Sequence, residues 1–235
     1  MRLIFVRHGD PDYQNDCLTE TGRQQAASTA LRLHDEKIKA IYSSPMGRAR
    51  ETAGFTALDH GLDVQNLDFM HEIWWGDKDP DIEDSRKIPF EGHPWSIAYK
   101  ALTSEPSYAG EKSWEEHPYF KNNICMDYFD RINTGIDNLL LQYGLKREGD
   151  FYRCVQENSD TIALFAHGGS GAILFSHLLA ISFPIVLTTL PFGVCSVSIF
   201  AFDAMEGEMA IPRLELFNDM NHHSGHKLNF EMYLD

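Results

Sequence analysis

The sequence predicts an α/β fold, a three-layer αβα sandwich with a mostly parallel central sheet. Three observations carry that expectation. Short apolar runs alternate with stretches of helical spacing through residues 1–72, the same run-glycine-helix pattern returns at Thr161, and strands alternating with helices in this way build parallel sheets covered on both faces. The chain has 235 residues, of which 43% are hydrophobic, enough for a sizeable core. The expected organisation is one domain over 1–235 with a cap or insert at about 73–160.

Each element has its own signal. Arg2–Val6 is an apolar run of the kind found in a strand buried on both faces. In "LTETGRQQAASTALRLHD", Thr19 caps a helix whose inner face is read as Ala26, Ala30, Leu31 and Leu33. "AIYSS" is a second strand, and "SPMGRARETAGFTALDHG" supplies a Ser-Pro start, a helix, and Gly61 as its stop. "DVQNLDFM" is a weaker third strand leading to His71 and Glu72. From Glu72 to about Asp160 the texture changes: a loop-like stretch rich in acids and prolines precedes helical spacing through Ile124, Tyr128, Ile132, Ile136, Leu139 and Leu140, and Lys146–Asp160 reads as a polar connection. "TIALFAHGGSGAILFSHLLAI" is a run, a His-Gly-Gly and a helix; "VCSVSIFAFD" and "RLELFND" read as closing strands.

A net charge of −15 argues against a broad footprint for nucleic acid or an anionic membrane. An anionic ligand would have to be met by a few local cations. The four cysteines, Cys17, Cys125, Cys154 and Cys195, lack metal or redox-motif spacing and are expected to be reduced and mostly buried. The Leu3–Val6 run is too short for a signal-peptide core, and the stretch Ala172–Leu190 is interrupted by Ser176, His177, Ser182, Pro184 and two threonines, reading as a buried helix and turn. A cytoplasmic protein is the default expectation.

In open parallel sheets, ligands sit beyond the carboxyl ends of the strands. The first strand ends at Arg7-His8 and the second at Ser43-Ser44, with Arg48 just inside the next helix; the third leads to His71-Glu72 and the fourth to His167-Gly168-Gly169. Two histidines, two arginines and a carboxylate on one rim suit a phosphoryl group. Arg7 and Arg48 grip its oxygens with planar forks. Backbone N–H groups at Gly168 and Gly169 favour an anion at the helix start. His8 attacks phosphorus, His167 steadies the equatorial oxygens, and Glu72 protonates the leaving alkoxide and later activates water. The catalytic set is thus His8, Glu72, Arg7, Arg48 and His167, with Arg7, Arg48, His167 and Gly168 binding phosphate. No metal and no cofactor is called for.

These motifs, "RHG" after an N-terminal strand, "SSPMGRARET", and "HGG" after a late strand, resemble the histidine phosphatase superfamily, the phosphoglycerate mutase-like fold, over residues 1–72 and about 161–202. The resemblance implies His8 as nucleophile, Arg7, Arg48 and His167 as the phosphate pocket, and Glu72 as proton donor. The chain departs from the family at "DPDYQND" and keeps its acidic loop motif only partly in "EIWWGDKDP", leaving Asp77 or another carboxylate of the insert as a rival to Glu72.

Other readings compete with these. Arg50 rivals Arg48 but points to another helix face and suits a surface charge. His71 is read as a structural or solvent-facing neighbour. "HHSGH" (His222, His223, His226) invites a metal but lacks accompanying ligands, and tail or edge-strand histidines are favoured. Trp74, Trp75, Trp95 and Trp114 line a cap pocket or form a satellite core, with Trp74 favoured for the pocket. Three functions follow: a metal-independent phosphatase acting on a small phosphorylated substrate through phosphohistidine, a phosphoglycerate mutase-type phosphotransferase, and a non-catalytic phospho-ligand-binding protein. The phosphatase leads, because the insert is acidic on balance, with Lys78, Arg86 and Lys87 as its cations, and a mutase must retain a highly anionic intermediate. An ordinary imidazole pKa of about 6.5 at His8 predicts activity falling below about pH 6.

Overall fold

The computed structural model describes residues 1–76, 78, 94–110 and 113–223. In chain order they form β1 (Arg2–Arg7), β2 (Pro11–Asp12), β3 (Cys17–Leu18), α1 (Glu20–Leu33), β4 (Ile38–Ser43), α2 (Gly47–His60), β5 (Val64–Asn66), α3 (Pro94–Ser104), α4 (Pro118–Lys121), α5 (Cys125–Gln142), β6 (Leu145–Glu148), β7 (Phe151–Cys154), β8 (Thr161–Ala166), α6 (Gly168–Leu179), α7 (Phe183–Thr189), β9 (Val197–Ala201), β10 (Met209–Ala210) and β11 (Arg213–Asp219). The main sheet runs β11-β9-β1-β8-β4-β5. β1, β8, β4 and β5 are mutually parallel, and β9 and β11 close one edge antiparallel. The fold is therefore an αβα sandwich on a mixed, largely parallel sheet.

Period-two alternation sorts the core into two layers. Leu3, Phe5, Ile162 and Leu164 face Ile132, Ile136 and Leu140 of α5 and the apolar side of α6. Ile4, Val6, Ala163 and Phe165 face Leu33 of α1 and Ala53 and Ala57 of α2. Every residue of β8 is buried, which is why its sequence carries no polar alternation. Trp75, Trp114, Phe120 and Phe183 extend the first layer. No helix among the described residues is long and apolar enough to cross a membrane.

Local signals set most helix ends. Thr19 Oγ1 accepts from the Gly22 N–H at 3.0 Å and caps α1. Gly61 closes α2 at φ 64°, with the Leu62 N–H reaching Ala57 O. A β-carbon at Gly61 would meet nothing within 4 Å, so Gly61→Ala isolates the backbone term. It is expected to cost about 1 kcal/mol, read as a lower urea midpoint at unchanged slope.

Four expectations are corrected. Leu31 is 75% exposed: the inner face of α1 is Gly22, Gln25, Ala26, Thr29, Ala30 and Leu33, and Leu31 points from the opposite side of the helix. The third strand stops at Asn66; a 3-10 turn at Asp68–Met70, with Met70 buried, intervenes before His71 and Glu72. Residues 145–154 are a β6–β7 hairpin turned at Gly149 (φ 62°), and its few inward residues, Leu145, Tyr152 and Cys154, leave little apolar pattern to read. Ala172–Leu190 holds two helices, α6 and α7, parted where Ala180 turns to φ 54° and Pro184 starts the second.

Candidate active site

Parallel strands deliver their carboxyl ends to one rim. Arg7 pairs in register with Ala166, and Ser43 with Phe165, so β1, β8 and β4 stop level with one another. The residue after each strand therefore enters a common space. The His8 and His167 rings lie edge to face there, centroids 5.1 Å apart. Both are buried, as is Arg48, 4% exposed on the first turn of α2. Arg7 is half-buried.

The hydrogen bonds define the protonation of His8. Its Nδ1 lies 2.7 Å from the Gly9 carbonyl oxygen, which can only accept, so Nδ1 carries the proton. The Nε2 lone pair faces the Arg48 Nε–H at 3.3 Å. Arg48 Nη1 in turn donates to Asp16 Oδ1 at 2.6 Å, and Asp16 Oδ2 accepts from the Gly47 N–H at 2.7 Å. His167 Nε2 is 2.7 Å from Ser44 Oγ, and its Nδ1 is buried without a partner. Arg7 donates through Nη1 to the Phe192 carbonyl while its Nε is buried and unpartnered. A β-carbon at Gly168 would sit 3.6 Å from the Arg7 guanidinium carbon and 3.7 Å from the Trp95 ring, so the start of α6 lies against both.

Glu72 reaches the same helix start from the extended segment after the 3-10 turn. Its Oε1 accepts from the Ile73 N–H at 2.9 Å and the Ser170 N–H at 3.1 Å. A β-carbon at Gly169 would fall 2.7 Å from that oxygen, so glycine is what lets the carboxylate seat on α6.

Burial governs the charges. It lowers the His8 pKa to about 3, with Arg7 and Arg48 pushing the same way against the Gly9 carbonyl. Burial, then His8 and Arg48, hold His167 well below its ordinary value. Burial raises Glu72, against the Ile73 N–H, Arg7, the Ser170 N–H and Arg48. The rim thus combines two guanidinium ions, two neutral imidazoles and a carboxyl group inclined to keep its proton. Because the folded-state pKa of His8 lies below the unfolded one, the unfolded chain binds more protons between about pH 6.5 and 3. Stability is expected to be full above about pH 6.5 and to fall as pH drops through that window, measurable by urea titration at several pH values.

The remaining candidates lie elsewhere. Arg50 is exposed, and His71 is half-buried with Nδ1 3.0 Å from the Glu72 carbonyl. Trp75 and Trp114 belong to the core, whereas Trp74 is 50% exposed. His222 and His223 point Nε2 at the Cys195 carbonyl, at 3.1 and 3.3 Å, and no metal-holding cluster of His, Cys, Asp or Glu occurs among the described residues. The cysteines are unpaired, three of them buried. Asp77, His226, Arg86, Lys87 and the acid run through Asp84, Lys78 apart, lie outside the described residues. Asp16, Ser44 as a partner of His167, and Thr52, whose Oγ1 accepts from the Gly9 N–H at 3.1 Å, had no individual signal in the sequence.

Residues 3–115 match the histidine phosphatase superfamily (branch 1), spanning Arg7, His8, Arg48 and Glu72. The match spans just under half of the chain, and over it the chain is similar to this superfamily. Its members share a phosphohistidine-type phosphatase or mutase mechanism that requires no metal. The chain is 27% identical over 164 residues to a Schizosaccharomyces pombe protein named "Probable phosphatase", covering 63% of this chain and 76% of the relative. It is 36% identical over 83 residues to the 2,3-bisphosphoglycerate-dependent phosphoglycerate mutase of Thermoplasma acidophilum, covering 31% of this chain and 42% of that protein. In fold it resembles mycobacterial glucosyl-3-phosphoglycerate phosphatase in complex with inorganic phosphate, with a TM-score of 0.63 at 23% identity over 95% of this chain and 99% of that one.

Proposed function

We propose that this protein is a phosphatase that hydrolyses a small phosphomonoester through a phosphohistidine on His8. The observation that carries this reading is the state of His8: neutral, its Nδ1–H fixed on Gly9 O, and its Nε2 lone pair turned into a space bordered by Arg48 and His167.

The phosphoryl group lies between the Arg7 and Arg48 guanidinium ions, His167, and the N–H groups opening α6 at Gly168. His8 Nε2 attacks phosphorus and the P–O bond to the alcohol breaks. The leaving alkoxide takes a proton from Glu72, whose pKa burial shifts upward, in the direction a general acid needs. As phosphorus bonds to Nε2, the Arg48 Nε–H transfers its hydrogen bond from the ring to a phosphoryl oxygen. The Glu72 carboxylate then deprotonates water, which attacks phosphorus; the P–N bond breaks, and His8 and inorganic phosphate are released. Charge, position and proton supply account for each step, which is what phosphoryl transfer demands.

Hydrolysis is favoured over mutase chemistry by the charge available to hold a doubly phosphorylated intermediate. Among the described residues, Asp16 already pairs with Arg48, and Lys78 is taken by Asp127 at 2.6 Å. Turnover of p-nitrophenyl phosphate, with alkali-stable and acid-labile label trapped on the protein during a burst, tests the reading. No turnover and no trapped label overturn it. Exchange between 3-phosphoglycerate and 2,3-bisphosphoglycerate faster than phosphate release would assign the mutase instead.

The depressed pKa of His8 moves the expected acid limit. In kcat/KM against pH, loss of the nucleophile falls well below pH 6, because the free enzyme keeps His8 neutral down toward about pH 3. An acid limb centred near pH 6.5 would place an ordinary, solvated imidazole at position 8.

A further inference from the structure

We infer that Asp16 is a positioning residue for Arg48: it determines which edge of the guanidinium meets the phosphoryl group. The inference rests on the phosphatase reading and deepens it. Asp16 lies in the short polar segment between β2 and β3, 32 residues from its partner. Its two carboxylate oxygens divide their work. Oδ1 takes Arg48 Nη1 at 2.6 Å, and Oδ2 takes the Gly47 N–H at 2.7 Å. The guanidinium and the helix that carries it are therefore tied to one group. Met46, at the cap position of α2, makes no side-chain cap bond, so Asp16 supplies it from a distant loop.

Two further features hold the arrangement. Asp16 sits at φ 48°, a conformation that non-glycine residues adopt infrequently and that Asp tolerates better than most. A β-carbon at Gly47 would lie 2.0 Å from the Asp16 carbonyl oxygen, so the approach of this loop requires glycine there. The Tyr13 ring, 69% exposed, covers the guanidinium with its centroid 5.4 Å from the Arg48 carbon.

The geometric consequence concerns a planar fork. With Nη1 anchored outward on Asp16, the Nε–H points at His8 Nε2, and the Nε/Nη2 edge faces the site. Without the anchor, Arg48 remains charged but its edge can rotate. A misplacement of about an ångström at such a group costs on the order of 100-fold in rate.

A double-mutant cycle separates this role from simple capping. Asp16→Ala is expected to lower kcat/KM on p-nitrophenyl phosphate between about 10- and 100-fold and to weaken inorganic phosphate binding, by calorimetry, by a similar factor. In an Arg48→Ala background the same substitution should change either quantity less than about twofold, because no guanidinium remains to orient. The cap on Gly47 persists in that background, so Asp16→Ala should still lower the thermal midpoint there, though by less than in the parent, where it also leaves the buried Arg48 without its carboxylate. Equal effects on phosphate affinity in the two backgrounds, or no effect in the presence of Arg48, overturn the assignment. Should Asp16→Ala not fold, Asp16→Asn, which keeps the side-chain size but cannot accept from both partners, serves the same cycle. Phosphate affinity reads this role without turnover, so absence of hydrolysis would sink the phosphatase reading while the Asp16 assignment is judged on binding.

Discussion

His8→Ala is expected to remove turnover by about 10⁴-fold or more, the scale on which loss of a catalytic nucleophile acts. No other group on the rim stands in for it: His167 is held by Ser44 through Nε2, and its remaining nitrogen is buried. Phosphate binding should survive within severalfold, because Arg7, Arg48 and the start of α6 are untouched. The variant should also lose part of the acid sensitivity of folding between about pH 6.5 and 3, since the unfavourable protonation of a buried imidazole no longer contributes. Hydrolysis within tenfold of the parent, measured on p-nitrophenyl phosphate, would remove His8 from the mechanism.

The second large effect belongs to Glu72. Glu72→Gln keeps an oxygen able to accept from the Ile73 and Ser170 N–H groups, so the loop and α6 retain their contact. What disappears is the proton. Alkyl phosphates, whose leaving groups are strongly basic, should slow by about 10² to 10⁴-fold. Aryl phosphates, which leave without help, should slow far less in the phosphorylation step. The observable is kcat/KM across a series of leaving groups. A uniform drop would move the acid to another carboxyl group.

Much of this architecture was legible from residues 1–66 and 161–202. The runs at β1 and β8 are apolar without alternation because both faces are covered, and Thr19 and Gly61 mark helix ends through local hydrogen bonding and backbone preference. The hairpin at 145–154 escaped because three inward residues carry its packing. Leu31 misled because composition cannot say which side of a 3.6-residue turn faces the sheet once neighbouring small residues serve equally well. The adjacent Trp74 and Trp75 look alike in sequence, yet one is half exposed and the other stacks on Phe183.

Read alone, the chain established that Arg7-His8, Ser43-Ser44 and His167-Gly168 would follow apolar runs, and parallel pairing then requires such residues to share a rim. That inference is local, because strand and helix signals lie within a few residues of the side chains they deliver. The approach of Arg48 to His8, the seat of Glu72 on α6 and the hold of Asp16 on Arg48 arose from contacts across 32 to 98 residues. Protonation and hydrogen-bond direction depend on burial and on charges brought close by folding, and these are properties of position in space, not of order along the chain.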